Sequence, residues 1–369
     1  MKIKHINWFN WIVCDYSYMK TITKGKNMNN LKKIGLSALA GSLAAISANA
    51  VELAVTGKTE VTYVTNDRGS LGNPLGMGNA ITFSGSGDVN GMTATYTAVI
   101  GDGGQANSNT SETFASSSLM LDMGDLGTIG MDQGVGEFGV GTIDDKTPYA
   151  YEEQWTYVGT SNGLVAAGGT NVVGYKNSYM GANLSLEIDP GHTNNASGGN
   201  TGDGYNATSA DSGFNFALTS GFGVDGLDVG IGHGTEENSP TASKALVTEF
   251  NTAYVTYAVG GATLGYQLSS STSEVAATTE SEVEIAGISF SVNENLAVSY
   301  SMMNRDVAPS GSVKAGYDGK DVTEKTKGLG ASYTMGSAAV RVLMADGDNI
   351  GGVEGKDNEH FEVSLLLSF

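Results

Sequence analysis

The chain has 369 residues, of which 39 are acidic and 19 basic, for a formal net charge of −20. Glycine takes 53 positions and proline only 5, a balance that excludes collagen and a proline-rich disordered chain. Mean hydropathy is −0.11, no stretch approaches the roughly 20 apolar residues of a membrane helix, and the acid excess argues against nucleic acid as a partner.

The amino-terminal fifty residues read as export machinery. Met28 opens a short basic start with Lys32 and Lys33, an apolar small-residue stretch follows from Ile34 to Ile46, and Ala48-Asn49-Ala50 has the A-x-A form of a cleavage site. This order of charge, apolar run and small residues is that of a secretory signal peptide, 28–50, cleaved after Ala50. Residues 1–27 lie upstream of a complete signal and read as a start-codon artefact. Removing 1–50 takes away seven basic residues, one acid and Cys14, the only cysteine, leaving 12 basic and 38 acidic residues and a net charge of −26. The mature chain therefore has no disulfide framework.

From residue 51 onward the pattern alternates. Ala94, Tyr96, Ala98 and Ile100 share one face of 93–100; Phe214, Phe216 and Leu218, then Ala262, Leu264, Tyr266 and Leu268, then Leu296, Val298, Tyr300 and Met302 repeat the period. The last segment sets Phe361, Val363, Leu365, Leu367 and Phe369 against Glu362, Ser364 and Ser368. A period of two predicts β-strands with one apolar and one polar face, and the chain is expected to be all-β.

Turn spacing gives the topology. Short connections fall at Asp88–Gly91, Gly124–Asp125, Met180–Ala182, Gly223–Gly226, Gly260–Gly261, Asn293–Asn295 and Met335–Ser337. Longer polar segments lie between them, at about 67–77, 101–112, 134–170, 190–210, 235–245, 270–281, 304–324 and 346–358. Seven short turns alternating with eight long loops require sixteen strands. An even strand number with short turns at one end and long loops at the other is the pattern of an outer-membrane β-barrel, closed by pairing the first strand with the last. A bilayer tolerates no unpaired sheet edge, and sixteen strands enclose a lumen too wide for side chains to fill. The competing architecture is a large secreted sandwich or adhesin.

With its cleaved signal, sixteen strands and terminal Phe369, the sequence resembles the trimeric general porins of Gram-negative bacteria, in their alphaproteobacterial branch. The resemblance covers 51–369 by pattern. It implies a 16-stranded antiparallel transmembrane barrel with an inward-folded third loop, in the outer membrane, as a homotrimer among lipid and lipopolysaccharide. It also implies passive diffusion of small hydrophilic solutes with no chemical step, and makes Phe369 the membrane-insertion signal.

Gly136-Glu137-Phe138-Gly139-Val140, at the start of the loop 134–170, resembles the family's Pro-Glu-Phe-Gly-Gly motif. By that match Glu137 is the acidic constriction residue and Phe138 and Gly139 shape the turn, while Gly136 and Val140 depart from the pattern. Asp144, Asp145, Glu152 and Glu153 extend the acidic run; the alternative is an exposed loop whose acids are merely solvated. Family members oppose this loop with arginines on the early strands, yet 78–123 holds no Lys or Arg. Parity puts Lys58 on the inner wall, with Arg341 beside it through barrel closure. Glu60 and Glu362 share that wall, so the two cations either line the constriction or neutralise these carboxylates.

Other chemistry is weak. His192, His233 and His360 are assigned to two loops and the last strand, without metal spacing, and no Ser–His pairing is local in sequence. Asp346-Gly-Asp348-Asn349 and Gly101-Asp102-Gly103-Gly104 lack the register of a calcium loop and read as turns. No catalytic residue, metal or cofactor is assigned. The alternatives to a general channel are a solute-specific channel, a barrel enzyme and an adhesive or structural surface protein. The charge balance and Glu137 together predict cation preference.

Overall fold

The structure, a computed structural model, describes residues 52–66, 73–101, 113–155, 158, 172–192, 211–238, 246–273, 279–309 and 322–369. The signal peptide 28–50 and the segment 1–27 lie outside the described residues. Sixteen strands follow one another: β1 (Glu52–Asn66), β2 (Leu75–Val89), β3 (Met92–Gly101), β4 (Thr113–Asp122), β5 (Thr128–Gln133), β6 (Val172–Tyr179), β7 (Ala182–His192) and β8 (Asp211–Ser220). Then come β9 (Leu227–Asn238), β10 (Leu246–Val259), β11 (Ala262–Ser273), β12 (Thr279–Ser291), β13 (Leu296–Pro309), β14 (Val322–Met335), β15 (Ala338–Asp348) and β16 (Asn358–Ser368). Each pairs antiparallel with its neighbours, and β1 pairs with β16, so the sheet is a closed barrel without edges.

The alternation of the sequence sets the two faces. Leu53, Tyr96, Ile129, Ile231, Leu264, Tyr300, Leu329 and Leu365 all project from the outer face and are exposed, as the wall of a transmembrane barrel requires. At the short-turn rim Tyr179, Phe222, Tyr257, Phe290, Tyr333 and Phe369 form an exposed aromatic row, the interfacial girdle of such barrels. The inner face carries polar groups that are nonetheless buried, among them Asn215, Gln267, Ser299, Ser301, Glu324 and Glu362.

All seven short turns stand where the sequence puts them. Asn90-Gly91 has φ of 55° and 82°, the positive values that a tight two-residue hairpin needs. Three expectations are corrected. The short connection at Gly124–Asp125 runs on to Gly127, and the fifth strand starts at Thr128, because Gly124–Leu126 forms a 3₁₀ turn with Gly127 N bonded to Gly124 O at 2.8 Å. Strands β13 and β14 run to Pro309 and from Val322, so the long loop between them is shorter than 304–324. His192 and His233 belong to β7 and β9, not to loops; His233 Nδ1 lies 2.8 Å from Asn251 Oδ1 of β10.

Candidate functional site: the segment between β5 and β6

The chain leaves β5 through a carboxylate-anchored turn. Asp132, buried on the inner face, accepts hydrogen bonds from Val135 N at 2.7 Å and Glu137 N at 2.6 Å. Gly136 sits at φ 85°, a conformation closed to proline, whose ring fixes φ near −65°. The Gly136 departure from the family motif therefore marks a different backbone path rather than a neutral exchange.

Phe138 is 1% exposed, and its ring lies over the bare backbone of Gly174 on β6, where a Cβ would overlap it. Gly139, at φ 65°, donates from its N–H to Ser185 Oγ at 2.8 Å, and Val140 N donates to Asn215 Oδ1 at 2.7 Å. The 3₁₀ turn Val140–Ile143 then buries its two apolar ends against Ala217, Phe250 and Tyr254. Gln267 of β11, fully buried, secures the next residues: its amide donates to Ile143 O at 3.1 Å and Asp144 O at 2.9 Å, and its Oε1 accepts from Lys146 N at 2.8 Å.

The segment continues along the same polar face. Pro148 packs over Gly265 and Gly287. Ala150 N donates to Ser299 Oγ at 2.9 Å, and Ser301 Oγ donates to Gln154 Oε1 at 2.6 Å. Trp155 packs on Val283, Ile285 and Met303, and Val158 joins Tyr151, Leu343 and Ala345. Residues 137–155 and Val158 thus touch the inner face of every strand from β5 through β16 and then β1. Glycines recur beneath them: Gly174 under Phe138, Gly232 under Val140, Gly265 under Pro148, Gly328 under Gln154 and Gly347 under Val158.

Two charged clusters result. Near the start, Glu137 Oε2 pairs with Lys176 Nζ of β6 at 2.8 Å, and Lys176 stands 5.6 Å from the Phe138 ring centroid. Near the far end, Tyr151 Oη donates toward Glu362 Oε1 at 2.8 Å, with Glu60 Oε1 at 3.1 Å. Arg341 pairs with Glu60 and lies 4.5 Å from the Tyr151 ring centroid, a cation–π distance. Between the clusters Asp145 accepts from Tyr149 Oη at 2.6 Å. Burial, with Glu153 close by, pushes the Asp145 carboxyl up to about 8. Burial and the charges of Glu362, Glu153 and Glu60 push Glu152 up to about 7. Burial also raises Asp144, which Lys146 partly offsets.

Glu137, Phe138 and Gly139 come together as the first anchor of the segment. Asp144 and Asp145 stand apart from them, and Arg341 meets the segment at its far end through Tyr151 rather than through Glu137. Lys58 is inward by parity but exposed, opposite Ser368 and Ala80 in register, and it is not drawn into the Arg341 cluster. The cation that meets Glu137 is Lys176, outside the early strands where the resemblance directs attention. Parity could have found it, since Val173 and Tyr175 are the apolar outer residues of β6. Tyr151 and Gln267 carried no comparable signal. Among the described residues no group of His, Cys, Asp and Glu has a metal-binding arrangement. Asp346 pairs with Lys327 at 3.0 Å, and Asn349 Oδ1 accepts from Gly355 N at 2.9 Å, closing a turn.

No protein-family model matches the sequence, and no curated protein matches it either. Solved structures do match. The anion-selective porin from Comamonas acidovorans aligns at 17% identity and a TM-score of 0.61, covering 86% of this chain and 100% of that one. OmpF of Salmonella typhi, in complex with daunomycin, aligns at 14% identity and 0.61, covering 86% and 98%. OmpT with loop L8 deleted, an outer-membrane protein of Vibrio cholerae, gives 12% and 0.58 over 87% and 100%. At these identities the likeness is one of architecture, and the chain has the closed 16-stranded fold of the porins.

Proposed function

We propose that the mature chain is an outer-membrane porin, a water-filled channel through which small hydrophilic solutes and ions diffuse passively, with cation preference. The observation that carries this reading is the course of 137–155, bonded to the polar inner face of strand after strand. A segment so held lies inside the barrel and narrows its lumen, and long loops in compact barrels are commonly functional. Cation preference is supported by the pairing of three inward cations, since Lys176, Arg305 and Arg341 each face a carboxylate, while Lys58 stands apart on β1. Glu153 is a further acid of the segment, and Asp145 and Glu152 add negative charge as pH rises through their raised values. The facing wall of β2–β4 offers Thr82, Ser84, Thr95, Thr97 and Ser118 and no lysine or arginine. A narrow low-dielectric passage concentrates the counter-ion of whichever sign lines it. The Comamonas protein is described as anion-selective; the charges inside this barrel favour the opposite sign.

A homotrimer in lipid and lipopolysaccharide, delivered by a cleaved signal at 28–50, completes the proposal. It is supported by the family resemblance and by a trimer form among the similar structures. The test is planar-bilayer conductance of refolded 51–369, with the zero-current potential under a KCl gradient. Stepwise conductance with a cation-selective potential is expected. A folded barrel without conductance overturns the channel and favours an adhesive or structural role.

A further inference from the structure

We propose that the channel carries a binding subsite for uncharged polyhydroxylated solutes, of mono- to disaccharide size, between the first turn of the inner segment and the short-turn rim. The proposal rests on the channel reading above and deepens it.

A recess of about 940 Å³ opens there, beneath Glu137 and Thr142, within the usual volume range of small-molecule sites. Its wall is built from the short-turn ends of β6, β7 and β8, whose inward side chains are Ser178, Asn183, Ser185 and Thr219. The hydrogen bonds among them run in one direction. Ser178 Oγ donates to Asn183 Oδ1 at 2.6 Å, and Asn183 Nδ2 donates to Thr219 Oγ1 at 3.2 Å. That leaves the Thr219 hydroxyl proton and the second amide proton of Asn183 as donors, and the Ser178 oxygen as an acceptor.

Across the recess the same logic holds at the segment's own turn. Ser185 Oγ accepts from Gly139 N at 2.8 Å and so retains its proton to donate. Thr142 Oγ1 donates to Gly139 O at 2.7 Å and so retains its lone pairs to accept. Donors and acceptors therefore alternate around the recess, which matches vicinal hydroxyls, each of which gives one hydrogen bond and takes others. Of the charged groups that line the recess, Lys176 is paired with Glu137 at 2.8 Å and Asp122 accepts from Gly124 N at 2.9 Å, while Asp125 stands at the short-turn edge.

The experiment measures potassium current through single channels of refolded 51–369 while sucrose is titrated, with a polyethylene glycol of similar mass as a size-matched control that has few donors. Sucrose is expected to reduce the current along a saturating curve, and the glycol only in proportion to viscosity. Asn183→Leu and Thr219→Val should each raise the half-saturating concentration by about fivefold to tenfold, the loss of one or two ordinary hydrogen bonds. Each variant is normalised to its own sugar-free current, and Thr219→Val, being nearly isosteric, serves if Asn183→Leu does not assemble. A non-saturating decline identical for sucrose and glycol overturns the subsite. So does saturable block by free lysine but not by sucrose, or variants that match the parent. Absence of any conductance overturns the channel reading itself, and the subsite with it.

Discussion

The carboxy-terminal Phe369 lies across Gly57 of β1: the two backbones exchange hydrogen bonds at 2.7 and 2.9 Å, and the ring covers the position a Cβ at Gly57 would take. The last residue of the chain therefore extends the closing β1–β16 ladder and places an aromatic group at the short-turn rim, where it remains exposed. Phe369→Asp should lower the amount of heat-modifiable barrel in the outer membrane and leave unassembled precursor. Gly57→Val, which displaces the ring without removing it, should give an intermediate loss. Normal assembly of Phe369→Asp would count against this role.

Glu137 and Lys176 predict opposite shifts. Glu137→Gln leaves Lys176 as an uncompensated cation in the lumen, so the cation preference should fall clearly. Lys176→Met leaves Glu137 unpaired, and the preference should rise. Both effects should shrink as salt rises, since screening at 1 M acts over about 3 Å. Zero-current potentials under KCl gradients read the sign directly, and two variants moving together would contradict the assignment.

The Phe138–Gly174 contact can be tested by rescue. Gly174→Val forces a side chain into the space the ring fills and should cost about 1–3 kcal/mol, the usual range for overpacking. It should also dislodge Glu137 and change conductance. Phe138→Ala in the same chain should recover part of the loss, whereas independent sites would simply add. Thermal unfolding in detergent, with conductance, measures both.

Proton uptake gives a further expectation. Asp145, raised to about 8, and Glu152, raised to about 7, are largely neutral in mildly acidic solution and gain charge as pH rises through those values. Cation preference should therefore increase from about pH 6 to pH 9. The folded barrel holds these protons where the unfolded chain has released them, so each raised group favours folding at low pH and this contribution is lost as pH rises through its folded value. Asp145→Asn with Glu152→Gln should flatten both dependences, followed by reversal potential and by unfolding at each pH.

Processing is tested by mass. Intact mass of the membrane form should correspond to a chain starting at Val51, and retention of Cys14 would contradict cleavage after Ala50.

Much of the architecture was legible because a transmembrane sheet writes itself twice into the sequence. Leu365, Leu367 and Phe369 must meet lipid while Glu362 and Ser364 face inward, and short turns such as Asn90-Gly91 punctuate that alternation. The inner segment was less legible because its partners are scattered along the chain. Gln267 holds residues 143–146 from more than a hundred positions away, and nothing local marks that glutamine. The same applies to Phe250, Val283, Ile285 and Met303, whose apolar character conflicts with an aqueous interior until Val140, Ile143 and Trp155 are laid upon them. Lys176 escaped for a different reason: the motif around Glu137 directs the search for its counter-charge to the early strands.

The contacts of residues 137–155 and Val158 also bear on mechanics. From β6 around to β1 the barrel has two layers, a hydrogen-bonded sheet and a second strip of chain bolted to it at Asn215, Gln267, Ser299 and Glu362. β5 meets the segment at Asp132 and Gly130, and over β2 to β4 no such contact occurs among the described residues. A cylinder reinforced over most of its circumference flexes chiefly through its unreinforced arc. Thermal breathing of the cross-section is therefore expected chiefly on the side whose inner surface is small hydroxyl residues, opposite the acidic surface.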